Sequence, residues 1–208
     1  MNPFSDRGWL YSSPDISCRW RPSPHFNQRP EGLATSLVIV HGISLPAGSF
    51  GGPWIDALFM NQLSDKSPHG LESLAGLEVS SHFVIARHGG LTQYVSIHNR
   101  AWHAGVSVFE GRSNCNDFSI GIELEGADET PYTEAEMDTL ETLCRCLAGG
   151  LPSLQAITGH SVVAPGRKTD PGPAFDWPDL RRRITTLGLG WEVVDGGPRR
   201  PSHEKLGT

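Results

Sequence analysis

The apolar positions fall into short segments, each with its own period. Leu37-Val38-Ile39-Val40 is a continuous run rich in β-branched residues, closed by His41. Such a run suits a strand covered on both faces. The stretch GISLPAGSFGGP follows as a loop. Pro53 fits the first position of a helix, where a missing N–H costs nothing. Trp54, Ile55, Leu58, Phe59 and Leu63 continue at helical spacing. HFVIAR, residues 82–87, and TQYVSI, residues 92–97, read as two strands of a hairpin turned by HGGL.

From Phe118 to Glu125, the residues Phe118, Ile120, Ile122 and Leu124 alternate with Ser119, Gly121, Glu123 and Glu125. A period of two predicts a strand with its apolar set on one face and both carboxylates on the other. Thr133 and Glu136 form a capping box. Behind it Met137, Leu140, Leu143, Cys144 and Leu147 make a helical stripe that ends at Gly149-Gly150. Asp176 caps a last helix, with Pro178 in its first turn and Leu180, Ile184 and Leu187 facing inward. The order of strands and helices predicts a single α/β domain with a mixed sheet.

The flanks lack such periods. Residues 1 to about 30, rich in Pro, Ser and Arg, read as irregular with at most a short strand. The expected division is an N-terminal arm at 1–22, the domain at 23–187, and a flexible tail at 188–208 where Gly, Pro and charges dominate.

Composition narrows the function classes. Of 208 residues, 38% are hydrophobic and 19% charged, as in a globular protein with a sizeable core. The net charge of -6 argues against nucleic acid as a partner. No apolar run reaches membrane-spanning length. The N-terminus has no basic start followed by an apolar run, so a cytoplasmic protein is expected. Cys18, Cys115, Cys144 and Cys146 form no CxxC pair or zinc-finger spacing.

Candidate chemistry gathers at element ends and in loops. His41 ends a strand. His160 opens the loop GHSVVAPGRKTDPGP, which also carries Lys168 and Asp170 between stiffening prolines. A zinc hydrolase needs three protein ligands and a place for water, a carboxylate to move protons, and a cation for the developing oxyanion. His41, His160 and Asp170 could be ligands, but so could His82 and His103, and spacing alone does not pair distant ligands. Glu123 and Glu125 share a strand face; Glu123 lies deeper, where burial raises a carboxyl pKa. Asn116 and Asp117 read as turn formers, and Trp102 as core.

The segments LVIVHGISLPAGSFGGPWIDALF, AWHAGVS, CNDFSIGIELEG, GH and RKTDPGPAFDW, spread from about Ser23 to Ile184, resemble the type 2 N-acetylmuramoyl-L-alanine amidases. Within that family they look like the cytoplasmic 1,6-anhydro-N-acetylmuramyl-L-alanine amidases. Phage amidases and animal peptidoglycan recognition proteins are more distant members. The resemblance implies a central mixed β-sheet flanked by helices, with zinc in a surface groove. It puts zinc on His41, His160 and Asp170, makes Glu123 the base and proton shuttle, and makes Lys168 the oxyanion stabiliser. The implied reaction is hydrolysis of the amide between (1,6-anhydro-)N-acetylmuramic acid and L-alanine, in cell-wall recycling. The partner is then an anhydro-muropeptide, with neither nucleic acid nor membrane, and the expected state is a monomer. His82, His103 and Asn116 are candidate substrate contacts; His82 could instead brace the groove, and His103 could orient a ligand from behind.

Two departures stand out. The family usually reads VHNIS at the first ligand, where this chain has Gly42. It also carries a Pro-Tyr pair ahead of the segment matching VSSH, where this chain has His69, Gly70 and Leu71 and no Tyr. A binding module without catalysis is the alternative class, although non-enzymatic relatives typically lose a ligand and this chain keeps all three. A lytic amidase acting on intact wall is another, against which the lack of a leader argues.

Overall fold

The computed structural model describes residues 2–64 and 67–197. In chain order the strands are β1 (Cys18–Trp20), β2 (Phe26–Gln28), β3 (Leu37–Ile43), β4 (Phe83–Ile85), β5 (Leu91–Gln93), β6 (Asn99–Ala101), β7 (Val108–Phe109), β8 (Arg112–Ser113), β9 (Ser119–Glu125), β10 (Ala156–Gly159) and β11 (Glu192–Val194). The helices are α1 (Trp54–Phe59), α2 (Glu134–Gly150), α3 (His160–Val163) and α4 (Trp177–Thr186). A seven-stranded sheet runs β1-β5-β4-β9-β3-β10-β11. It is mixed, as expected: the β4–β5 hairpin is antiparallel and the other pairs are parallel.

The period-two pattern of β9 sorts Ile120, Ile122 and Leu124 as expected, but Phe118 precedes the strand and packs on the other face. Ile120, Ile122 and Leu124 join Val38, Val40, Phe83, Ile85 and Ile157 in a core closed by α2 and α4. The other face is covered only in part. It is covered by α1, with Ile55, Leu58 and Phe59 against Val84 and Tyr94, and by Ala104, Phe118 and Val163 against Leu37 and Ile39. Glu123 and Glu125 are therefore both buried, and such groups need partners.

The capping box forms in full: Thr133 Oγ1 accepts from Glu136 N, and Glu136 accepts from Thr133 N. Asp176 caps α4 by accepting from Asp179 N. Helix α1 is shorter than its apolar stripe predicts. It stops at Met60, and Asn61 turns left-handed with φ 55°.

Both flanks differ from expectation, for one reason: each carries apolar side chains that the sheet edges leave room for. Phe4, Leu10 and Ile16 are buried in the main core, β1 forms a sheet edge, and β2 pairs with β6. Buried Gln93 ties the segment down, accepting from Leu10 N at 2.8 Å and donating to Gly8 O at 2.8 Å. Beyond residue 188, Trp191 and Val193 are buried and β11 closes the other edge. Residues 198–208 of the expected tail lie outside the described residues.

Candidate metal centre

Strand register lines up the site. His41 on β3 is opposite Glu123 on β9, which is opposite Val84 on β4, then Thr92 on β5 and Arg19 on β1. Partners across a sheet point to the same face, so these side chains form one row on the face away from α2 and α4. His160 follows Gly159, the last paired residue of β10, opposite Val40. It therefore extends the row beside His41. Beyond Glu123 the row floors a cleft of about 580 Å³ bordered by Gly51, Ile55, Asp56 and Glu125.

Asp170 arrives from the loop that crosses the ends of β3 and β10. Glycines make that crossing possible. A Cβ on Gly159 would lie 3.0 Å from Pro171 and from Trp177, and one on Gly172, at φ 81°, would collide with Asp128. Tyr132 Oη donates to Pro171 O at 2.9 Å, and Ser161 N donates to Asp170 O at 2.8 Å.

Three donor atoms converge. His41 Nδ1 is 3.0 Å from His160 Nδ1 and 3.1 Å from Asp170 Oδ2, and the last two are 3.0 Å apart. Atoms bound at roughly 2.0–2.2 Å to one tetrahedral ion stand at comparable separations. His160 Nε2 lies 3.1 Å from the carbonyl of Ala104, which can only accept. In the neutral ring that leaves Nδ1 with a bare lone pair aimed at the other two donors. Two imidazoles and one carboxylate are a catalytic-type zinc donor set, so the residues present fit that ion.

The electrostatics agree. Burial pushes the His41 pKa down to about 4, against the opposing hydrogen bond to Asp170. Burial also pushes the Asp170 carboxyl up, but the bonds to His160 and His41 outweigh it and hold it well below the usual range. Glu123 goes the other way: burial first, and Asp170's charge second, raise its pKa well above an ordinary carboxyl. Lys168 is exposed, and its charge reaches both His41 and Glu123. Glu123 Oε1 stands 4.0 Å from His41 Nδ1.

Glu125, the rival carboxylate, is already engaged. It accepts from the backbone N–H groups of Gly51 and Arg87. His82 is fully buried; its Nδ1 accepts from Gly121 N at 3.0 Å and its Nε2 lies 3.0 Å from Asn99 O. Asn116 Oδ1 accepts from the N–H groups of His103 and Ala104. His103 stands behind His41 with Nδ1 2.9 Å from His41 Nε2. All three proposed substrate contacts thus sit where they brace the site from within.

Sequence reasoning missed Tyr132 and Arg167. Tyr132 precedes a capping box and reads as helix entry. Arg167 donates to the carbonyls of Ala104 and Val106 and holds the strap behind His160. A usable signal was glycine inside strands, which often marks close approach of another group. Gly42 and Gly121 both do so here.

Comparison with known proteins shows the family. The family profile for N-acetylmuramoyl-L-alanine amidases matches residues 31–173. The 1,6-anhydro-N-acetylmuramyl-L-alanine amidase AmpD of Salmonella typhimurium (strain SL1344) is 50% identical over 86% of this chain and 94% of that protein. AmpD of Escherichia coli (strain K12) is 49% identical over 85% of this chain and 94% of that protein. A crystal structure of a selenomethionine AmpD derivative superposes with a TM-score of 0.80 at 48% identity, covering 86% of this chain and 97% of that one. With the profile spanning most of the domain and relatives matched over nearly their whole length, the chain belongs to the N-acetylmuramoyl-L-alanine amidase family.

Proposed function

We propose that this protein is a zinc-dependent amidase that hydrolyses the bond between (1,6-anhydro-)N-acetylmuramic acid and L-alanine in soluble muropeptides, as part of cell-wall recycling in the cytoplasm. The observation that carries the reading is the convergence of His41 Nδ1, His160 Nδ1 and Asp170 Oδ2 with Glu123 beside them. The AmpD relatives, named for this substrate, support it.

His41, His160 and Asp170 would hold zinc. When bound, zinc supplies Lewis acidity, polarising the scissile carbonyl and making water acidic enough to attack near neutral pH. Glu123 takes the proton of the attacking water on its carboxylate. Buried beside the triad, it then delivers that proton to the leaving nitrogen of L-alanine. Lys168 offsets the negative charge that develops on the carbonyl oxygen. The row of side chains from His160 to Arg19 gives the substrate a continuous floor, with the cleft beyond Glu123 available to one arm of it.

Among the described residues, no phenol replaces the one that relatives bring from ahead of the VSSH segment. His69 is fully exposed and pairs with Glu72. Tyr94 is bonded to Asp56, Tyr132 to Pro171, and Tyr11 lies beside Trp20. Glu123 and Lys168 carry the proton and charge work between them.

Zinc analysis paired with two variants tests the assignment. Glu123→Gln should keep stoichiometric zinc and lose turnover, whereas Asp170→Ala should lose the zinc as well. Full activity in both would sink it, and muropeptide binding without turnover by the zinc-loaded wild type would favour a recognition module.

A further inference from the structure

His103 stands behind the triad and touches one member of it. Its Nδ1 is 2.9 Å from His41 Nε2, with the rings edge-on at 89°. Its Nε2 is 3.2 Å from Ser119 Oγ. Asn116 Oδ1 pins the backbone on either side, accepting from His103 N at 3.2 Å and Ala104 N at 2.8 Å. The ring lies directly over Gly121, where a Cβ would come 2.5 Å from His103 Cγ. Glycine inside a strand weakens it; here the missing side chain is what lets the ring seat.

A neutral imidazole carries one N–H and one lone pair. For Nδ1 of His41 to present its lone pair to a cation, the proton must sit on Nε2. The group facing that proton is His103 Nδ1, which can accept only if His103 carries its own proton on Nε2. Ser119 Oγ is there to accept it. His160 has its tautomer set by a backbone carbonyl, whereas His41 has it set by a side chain. We infer that His103 is a positioning residue that, backed by Ser119 and seated by Gly121, fixes His41 in the tautomer whose Nδ1 faces the metal. The inference rests on the metal-site reading above.

The test is zinc affinity, measured by competition with a chromophoric chelator at neutral pH. The proteins are the wild type, His103→Leu, His103→Gln and Gly121→Ala. Losing such a partner typically weakens metal binding by roughly 10–100-fold, and that is the loss expected for His103→Leu. Gly121→Ala, which leaves His103 in the chain but displaces its ring, should move affinity the same way. His103→Gln keeps an acceptor toward His41 and should recover most of the loss. Long-range proton–nitrogen correlation spectra should show His41 protonated on Nε2 in the wild type and a mixture of tautomers in His103→Leu. Unchanged affinity and tautomer in Gly121→Ala, or a Gln variant as weak as Leu, would overturn the inference even if His103→Leu fails to fold. A wild type that binds no zinc would overturn the metal-site reading itself.

Discussion

The phenol of Tyr132 donates to the carbonyl of Pro171 at 2.9 Å, one residue past Asp170, and occupies the space that a side chain on Gly42 would need. In this chain Gly42 leaves the room that the ring fills. Tyr132 also packs edge-on against Phe175, so it joins the ligand loop to the core behind the sheet.

Tyr132→Phe removes that one hydrogen bond. Stability should fall by about 1 kcal/mol and zinc affinity by roughly tenfold, as for other supporting partners of a ligand. Gly42→Asn should weaken zinc further, because it displaces the whole ring. Chelator competition on both variants checks this. Wild-type affinity in both would mean that the ligand loop holds itself.

Glu123→Gln should lower kcat by roughly 10²–10⁴-fold, the usual weight of a positioned acid–base group, with zinc content and KM little changed. A large rise in KM at constant kcat would instead make Glu123 a substrate-binding group.

Burial lowers the pKa of His41, His82 and His103, to about 4 for His41. The unfolded chain therefore takes up protons at higher pH than the folded one. The stability contributed by these neutral rings is complete above the unfolded value of about 6.5 and is lost as pH falls toward the folded values. Glu123 has the opposite sign, since its folded pKa is raised; its contribution is present below about pH 4.3 and is lost as pH rises through the folded pKa. The histidines dominate on the acid side, so urea midpoints of chelator-treated protein should drop between about pH 7.5 and about pH 5. An equal or higher midpoint at the acid end would contradict the burial of these rings. Bound zinc should steepen the drop, because its ligands must be neutral or ionised to bind.

Arg183 on α4 lies buried among Asp179, Asp138, Glu141 and Glu134, and so clamps α4 to α2. Arg183→Met leaves these carboxylates facing one another. Because Glu134 and Asp138 are well exposed, the loss should sit near the low end for a broken buried pair, roughly 3 kcal/mol. Thermal unfolding should show it while zinc affinity stays put. A matched loss of zinc would mean that the helix layer and the site are coupled.

Much of this was legible in the sequence because local periods and caps agree with the tertiary fold. The β9 alternation, the Thr133–Glu136 box and the Asp176 cap all form. His41, His160 and Asp170 stand out in the sequence as candidates, but their convergence depends on pairing between β3 and β10 and on a loop crossing. No periodicity encodes that, and only the family resemblance singled them out. The flanks failed for a related reason. Phe4, Leu10 and Trp191 lie in short apolar stretches without a helix or strand period, and they are buried because sheet edges lie within reach. The burial of Glu125 was missed likewise, since its partners come from Gly51 and Arg87, far away in the chain.

The central claim is that a metal on His41, His160 and Asp170 serves amide hydrolysis of a muropeptide. Purified protein incubated with anhydro-N-acetylmuramyl-tripeptide, with chelator and with zinc restored, tests it most directly, with mass spectrometry of the products. The account predicts free peptide beginning with L-alanine, its loss on chelation and its return with zinc, and faster release from the soluble fragment than from intact wall. Release that ignores the chelator, or none from zinc-loaded protein, would contradict it.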